Sequence, residues 1–447
     1  MALYTQLVSR LLFPLHEKLK GHSTVQKREA LERSQWQTGA QISASQEKSL
    51  EAFLLNLSRH NPYFRALFSR LDITAEDFAN IDVLKRIPLL DKATIRENEK
   101  GFVSELCQSP HFMTTSGSSG TPLRFVLGKE RISHDVAAKW RATRWWGVDI
   151  GDPEAVIWGS SIELSGQGWA KVLRDRLFRS RLFPAKQLDA EGMDRLLDDL
   201  QSFEPAMIYG YPSILTMLAE HANSKGIVYR PGRLKVIFCT AEKLYPHQRQ
   251  TIETFFGVPV ANGYGSRDAG FIAHECPEGG LHISAEDIIV EVLDELGNDC
   301  KVGEIGELVV THLCTSDFPM LRYRTGDLAT MAEGPCACGR GLPRFADVIG
   351  RSNDVLRATN GAAVHGAYIG NIVREDRAVC HFQMIQESDR QFELKLVNYP
   401  DMQIDVQKMA TKLKKVLGDE ADISIDVVQD IPAEATGKYK YIINRSR

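Results

Sequence analysis

The run Thr114-Thr115-Ser116-Gly117-Ser118-Ser119-Gly120-Thr121-Pro122 puts two glycines among a row of hydroxyl side chains. Glycine lets backbone N–H groups close on phosphate oxygens without a side-chain clash, and the hydroxyls add donors. No lysine follows in Walker register, so a phosphate cradle of another kind and a plain linker are the two readings. A second run, Ala261-Asn262-Gly263-Tyr264-Gly265-Ser266-Arg267-Asp268, follows a predicted strand over 258–260, where α/β proteins place ligands. Tyr264 offers a flat face for a base and Asp268 an oxygen ligand for Mg²⁺; the bland alternative is a Gly-rich turn.

Three more runs follow. Tyr323-Arg324-Thr325-Gly326-Asp327 reads as a turn whose Asp327 suits a ribose diol. Gly350-Arg351-Ser352-Asn353-Asp354 lies at a predicted domain boundary. Pro432-Ala433-Glu434-Ala435-Thr436-Gly437-Lys438 ends on a lysine that, taken alone, is an ordinary surface charge. Separately, Cys276 and His282 in a Gly/Pro-flanked run precede the Cys336-Ala337-Cys338 pair, and this spacing suits tetrahedral Zn²⁺. His274 is the competing imidazole, and buried free cysteines are the alternative. With four protein ligands such a zinc would be structural.

The elements that must position these residues are legible in outline. The first hundred residues read as mostly helical, with a good helix over 46–60. From about 130 to 310, strand-like runs (155–158, 236–239) alternate with helical stripes such as Met193, Leu196, Leu197, Leu200 and Phe203. Residues 286–293 and 307–311 read as strands of a more antiparallel part. After residue 349 the pattern restarts on a smaller scale, with strands near 381–385, 392–397 and 423–428 and an amphipathic helix over 402–417. The fold class is therefore α/β: a large multi-sheet domain over 1–349 and a small mobile α+β domain over 350–447, joined by a short hinge.

Length agrees with more than one domain, since 447 residues exceed one ordinary core. Hydrophobic residues make up 43%, charged residues 25%, and the formal net charge is −4, which leaves no basic footprint for nucleic acid. No apolar run is long enough to span a bilayer, and no export signal is visible. Eight cysteines then read as reduced thiols of a cytoplasmic protein. Residues 3–20 form an amphipathic segment with Leu7, Leu11, Leu12, Leu15 and Leu19 at helical spacing. Packing on its own protein is the expected role, and a membrane surface the alternative. Trp140, Trp145, Trp158, Tyr209, Tyr211 and Phe238 could line an aromatic substrate pocket, and Arg141 and Arg144 could read a second anion or simply lie on a solvated helix face.

Taken in order, the five runs resemble the adenylate-forming superfamily of acyl-CoA ligases, synthetase adenylation domains and luciferases. Within it the chain is most similar to the phenylacetate–CoA ligase branch and its capsule-biosynthesis-associated relatives, from about Leu89 to Lys438. The resemblance implies ATP-dependent conversion of a small carboxylic acid, with an aromatic one among the candidates, to an acyl-adenylate with release of pyrophosphate. It further implies transfer to CoA; an amine, sugar or carrier protein is the alternative acceptor, as is stopping at the adenylate. Thr115, Ser116, Gly117, Ser118, Ser119, Gly120 and Thr121 would clamp phosphates. Thr240, Ala241 and Glu242 would border adenine, and Tyr264 would stack on it, with Gly265, Ser266 and Arg267 alongside. Asp268 would hold Mg²⁺, Asp327 the ribose with Arg351 nearby, and Lys438 would bridge the substrate carboxylate and the α-phosphate. The acyl pocket would include Tyr209, Tyr211 and Phe238. Relatives of this branch resemble the zinc pattern too, and relatives dimerise, which makes a homodimer an expectation. Three positions depart from the family pattern: Asp268 replaces the usual glutamate, Asn353 stands at the hinge, and the phosphate loop lacks paired threonines and a basic residue.

Overall fold

The computed structural model describes residues 3–446 apart from 109, 116–122, 159–168, 186–188, 231, 352–354, 377, 400–401 and 433–439. Two compact units are present. One comprises Met1–Thr325 and Ala329–Val348, the other Gly326–Leu328 and Ile349–Arg447. The expected architecture, a large mixed α/β part followed by a smaller α+β part, is what the chain adopts.

In the large unit, β1 (Phe112–Thr114) and β2 (Arg124–Val126) make an antiparallel hairpin. Eleven strands then build one sheet. Its parallel half holds β3 (Glu154–Trp158), β4 (Ser180–Pro184), β5 (Met207–Gly210), β6 (Val236–Thr240) and β7 (Val260–Ser266). Its antiparallel half continues through β8 (Gly270–Glu275), β9 (Leu281–Ile283), β10 (Ile288–Leu293), β11 (Gly306–His312), β12 (Met320–Met331) and β13 (Arg344–Arg351). Every residue of β6 is buried, as a central parallel strand covered on both faces requires. On one face the helices Ala190–Phe203, Pro212–Ser224 and Pro246–Phe256 pack Leu196, Leu200, Leu215 and Phe256 against Ile208 and Ile237. The other face buries Val148, Met207, Val236, Phe238 and Ala261. The antiparallel half is covered by helices of the first hundred residues, chiefly Gly39–His60 through Leu50, Leu54 and Leu57. Thr38 caps that helix and closes a capping box with Gln41.

Two runs for which a turn is the bland reading are strands. Residues 260–266 form β7, because they pair with β6 on one side and β8 on the other. Residues 323–327 lie inside β12, where Tyr323, Thr325, Asp327 and Ala329 alternate inward at the strand period. A ladder on each side satisfies backbone groups that a turn would leave to water.

The segment 3–19 is helical but faces opposite to expectation. It runs as Leu3–Leu7, a π turn over Val8–Leu12, and Phe13–Leu19. Val8 and Phe13 are the buried apolar side chains, packed on Trp140, whereas Leu7, Leu11, Leu15 and Leu19 are exposed. The aromatic anchor decides the inward face; of the leucines only Leu12 packs partly against it, and the others are left outside.

The small unit carries the hairpin β14 (Val355–Arg357) and β15 (Ala363–His365). Its four-stranded sheet has the order β18-β17-β16-β19, with β16 (Val379–Gln386), β17 (Gln391–Asn398), β18 (Asp422–Val427) and β19 (Ile442–Asn444). The helix Val406–Leu417, capped by Asp405 accepting from the Lys408 N–H at 3.0 Å, buries Met409, Leu413 and Leu417 against Met384, Leu394 and Leu396.

Candidate functional site

The parallel strands end on one edge of the sheet, the position at which α/β folds bind ligands. Register places Thr240 beside Gly263 there, so Thr240, Ala241 and Glu242 adjoin the Tyr264 motif. Ala241 has φ +68°, a left-handed backbone that a non-glycine residue rarely adopts and that clusters at ligand sites. Glu242 accepts from the Ser213 N–H at 3.2 Å, which ties this edge to the start of the helix Pro212–Ser224.

The ladder slips between Tyr264 and Gly265. Bulges re-aim side chains and recur at active sites. A Cβ at position 265 would lie 2.2 Å from the Gly270 carbonyl oxygen, so only glycine permits this approach. Tyr264, half-buried, sets its ring edge to face against Phe345 at 6.1 Å.

Asp268 is the best-defined charge at this edge. It is 5% exposed. One carboxylate oxygen accepts from the Ser266 hydroxyl; the other accepts from Tyr323 Oη at 2.5 Å and lies 3.5 Å from Lys92 Nζ. Burial pushes its pKa up, but the Lys92 charge and the two hydroxyls outweigh burial and hold it below the usual carboxylate range. Arg131, buried, donates to the Asp268 carbonyl at 3.1 Å and to Asp135 at 2.9 Å, which pins the turn. Lys92 and Arg131 carry no local motif of their own, and Tyr323 opens the 323–327 run with no role of its own assigned to it. Only the contact to Asp268 identifies them.

Thr115 lies at the end of the β1–β2 hairpin: its N–H donates to Leu123 O and its hydroxyl accepts from Leu123 N–H, both at 2.9 Å. Arg267 donates to Thr114 O at 3.0 Å, so the hairpin stem and the Tyr264 motif are in direct contact. Ser116, Gly117, Ser118, Ser119, Gly120 and Thr121 lie outside the described residues, as does Lys438. Asp327 is buried on β12, and Arg351 is the last residue of β13.

Of the aromatic candidates, Trp158 stacks on Tyr209 at 6.1 Å and meets Tyr211 at 4.3 Å, and Tyr209 meets Phe238 at 6.5 Å. Tyr209 pairs in register with Phe238 on β6, the strand that ends at Thr240, which joins this group to the strand edge. Trp140 and Trp145 stand elsewhere: Trp140 packs on Phe13, and Trp145 lies edge to face with His282. Arg141 is not on a solvated face. It is 1% exposed and bound to Glu286 at 2.5 Å, while Arg144 is held by Glu32 and Asp149.

A separate cluster brings Cys276, His282, Cys336 and Cys338 together, with one ligand atom from each inside a 4.8 Å span. Cys276 Sγ lies 3.8 Å from Cys336 Sγ, and Cys338 Sγ lies 3.2 Å from His282 Nε2. His282 Nδ1 faces Leu342 O at 3.2 Å, which assigns its proton to Nδ1 and turns the Nε2 lone pair inward. Burial holds this imidazole neutral, with a pKa lowered to about 4. A Cβ on Gly280 would lie 2.7 Å from Cys336 Sγ and 3.1 Å from His282 Nε2, so the backbone itself closes over the cluster. His274 is not in the group; it is buried and stacked on Phe271 at 5.3 Å.

Residues 110–316 match the family model of the AMP-binding enzymes, and residues 356–445 match that of the CapK C-terminal domain. Protein CapK of Staphylococcus aureus is 24% identical over 410 residues, covering 89% of this chain and 88% of that protein. The phenylacetate-coenzyme A ligase of Thermus thermophilus is 25% identical over 358 residues, covering 77% and 78%. In fold, the chain is similar to a 2-hydroxyisobutyryl-CoA ligase in its postadenylation state, with a TM-score of 0.75 at 19% identity over 92% of this chain and 91% of that one. With one model over residues 110–316, the other over 356–445, and relatives aligned over most of the chain, the chain belongs to the adenylate-forming ligase superfamily, in the branch that holds the phenylacetate–CoA ligases and CapK.

Proposed function

We propose that the chain activates a small carboxylic acid with ATP, releasing pyrophosphate and forming an acyl-adenylate, and then passes the acyl group to CoA. The observation that carries this reading is Asp268: a buried carboxylate kept ionised at the strand edge, beside Tyr264, Thr240–Glu242 and the stem of the hydroxyl-rich loop.

Both reactants are anions, so the barrier is one of positioning and charge. Donors of the 115–121 loop would hold the β- and γ-phosphates while Tyr264 stacks on adenine and Thr240, Ala241 and Glu242 edge its pocket. Asp327, with Arg351, would hold the ribose. Lys438 would bring the substrate carboxylate onto the α-phosphate. The Trp158–Tyr209 stack with Tyr211 and Phe238 suits a flat acyl group. Asp268 fits Mg²⁺, because Lys92 already stands as a cation on its outer oxygen. The ion would neutralise charge on the departing pyrophosphate.

The four-residue cluster fits a structural zinc: two thiols 3.8 Å apart, a third thiol, and a neutral imidazole whose tautomer is set from outside. Filled by protein on every side, it has a role in pinning the loop after β8 to the turn before β13.

Pyrophosphate–ATP exchange, measured across a broad panel of carboxylic acids, tests the proposal. Exchange with at least one acid is expected, and silence with all of them would overturn it. One observation favours a second acceptor chemistry: residues 356–445, the part that would serve the transfer step, match the CapK model. CoA against hydroxylamine as acceptor separates the two, because an amine- or sugar-transferring enzyme releases hydroxamate but forms no thioester.

A further inference from the structure

Residues 3–19 place a leucine at every fourth position: Leu3, Leu7, Leu11, Leu15 and Leu19. On a plain α-helix such a row drifts by about 40° per step. The π turn Val8–Leu12 takes back part of that drift, and all five leucines stay outside, with Leu3 at 87% and Leu19 at 80% exposure. The helix Trp169–Leu177 lies alongside. Tyr4 Oη donates to Leu177 O at 2.8 Å, and Phe178 meets Phe13 and His16 edge to face at 5.5 and 5.3 Å. That second helix also turns its apolar residues outward: Trp169 at 81%, with Val172, Leu173 and Leu177 exposed as well. Two neighbouring helices therefore expose one joint apolar surface, far more than scattered single side chains would make.

The two segments that carry this surface are basic. Residues 3–20 and 169–179 hold seven lysines and arginines (Arg10, Lys18, Lys20, Lys171, Arg174, Arg176, Arg179) against two acids, on a chain whose formal net charge is −4. Both acids are engaged: Glu17 is buried and accepts from Thr24, and Asp175 is bound by Arg174 at 2.5 Å. Apolar side chains accompanied by cations that, Arg174 excepted, neither acid of these segments neutralises are what a helix lying in an anionic lipid interface presents. A two-fold dimer through the same patch would set like charge against like charge. No helix among the described residues is long and apolar enough to cross a membrane.

We propose that the helices of residues 3–19 and 169–177 form a docking surface for an anionic phospholipid bilayer, on which the protein lies without spanning it. Flotation of the full chain with vesicles of phosphatidylcholine containing about 30% phosphatidylglycerol, at low salt, should recover bound protein. Pure phosphatidylcholine vesicles should recover at least tenfold less, and so should anionic vesicles at about 0.5 M salt. The variant Leu7→Asn/Leu11→Asn/Leu173→Asn should lose binding at least tenfold with an unchanged melting curve, since these side chains are exposed. Lys171→Glu/Arg176→Glu should lose it while keeping the leucines. Trp169 should move its emission to shorter wavelength on anionic vesicles, a shift that Trp169→Phe abolishes. Absence of flotation with anionic vesicles overturns the proposal. So does sedimentation velocity showing a dimer that the leucine variant dissociates, or binding that the charge variant leaves intact.

Discussion

At the scale of single residues, Asp268 concentrates the chemistry. Its carboxylate is 5% exposed, accepts from Ser266 and Tyr323, and faces Lys92. Asp268→Asn keeps the shape and removes the charge that would hold Mg²⁺, so pyrophosphate exchange should fall by about 100-fold or more at unchanged fold. Tyr323→Phe removes one donor from a buried anion. A smaller loss, roughly 5- to 50-fold, is expected, and exchange at the wild-type rate would show that the phenol only packs. Lys438→Ala should abolish adenylation on the proposed mechanism; a wild-type rate would refute that role. Asp268 was legible from its motif and Tyr323 lies in the 323–327 run, but their meeting was not legible, nor were Lys92 and Arg131. Lys92, Arg131 and Tyr323 come from three distant stretches of chain and meet only because the helix Lys92–Glu97, the helix Lys129–Trp145 and β12 converge on one turn.

At the scale of elements, two glycines decide local geometry. The β7 bulge depends on Gly265, whose Cβ would strike the Gly270 carbonyl at 2.2 Å, and Gly280 closes the Cys/His cluster. Zinc near one equivalent is expected in protein purified without a metal-binding tag, and less than roughly a tenth of an equivalent would refute the site. Gly280→Ala should lower zinc content by half or more, because the new methyl displaces Cys336 Sγ. Glu278→Ala, on the exposed part of the same loop, should leave it unchanged. The cysteine spacing was legible in sequence. The choice between His274 and His282 was not, because the two face each other across the β8–β9 ladder and only the fold turns one of them into the cluster.

At the scale of the whole molecule, burial sets the acid limit of stability. His274 and His312 are held neutral with pKa lowered to about 3, first by burial and then by the nearby charges of Arg141 and Arg131 respectively. An unfolded histidine titrates near 6.5, so below that pH the unfolded chain takes up protons that the native state refuses. Stability is then full above about pH 7 and falls as pH decreases. Between pH 6.5 and 5.5 the two histidines together should remove about 2 kcal/mol, measured by urea unfolding. His282, lowered to about 4, adds a comparable share, so His274→Gln should reduce the measured slope by about a third, and a flat profile from pH 7.5 to 5.5 would refute the assignment. The joint apolar face of residues 3–19 and 169–177 belongs to this scale as well. Period alone marked residues 3–20 as amphipathic and had the leucines inward, yet Phe13 on Trp140 reversed the face.

The sequence by itself determined the coarse order of a helical start, a mixed α/β part and a small α+β part, the five ordered motifs and the ligand types of the Cys/His cluster. These rest on local periodicity, turn chemistry and spacing, all written along the chain. Tertiary structure alone decided that residues 260–266 and 323–327 are strands, that Arg141 is a buried ion-pair partner, and that Trp158 stacks on Tyr209 while Trp140 anchors the first helices. Each of those outcomes depends on a neighbour far away in sequence: a second strand to pair with, a carboxylate to neutralise a charge, or a ring to bury. No local window contains it.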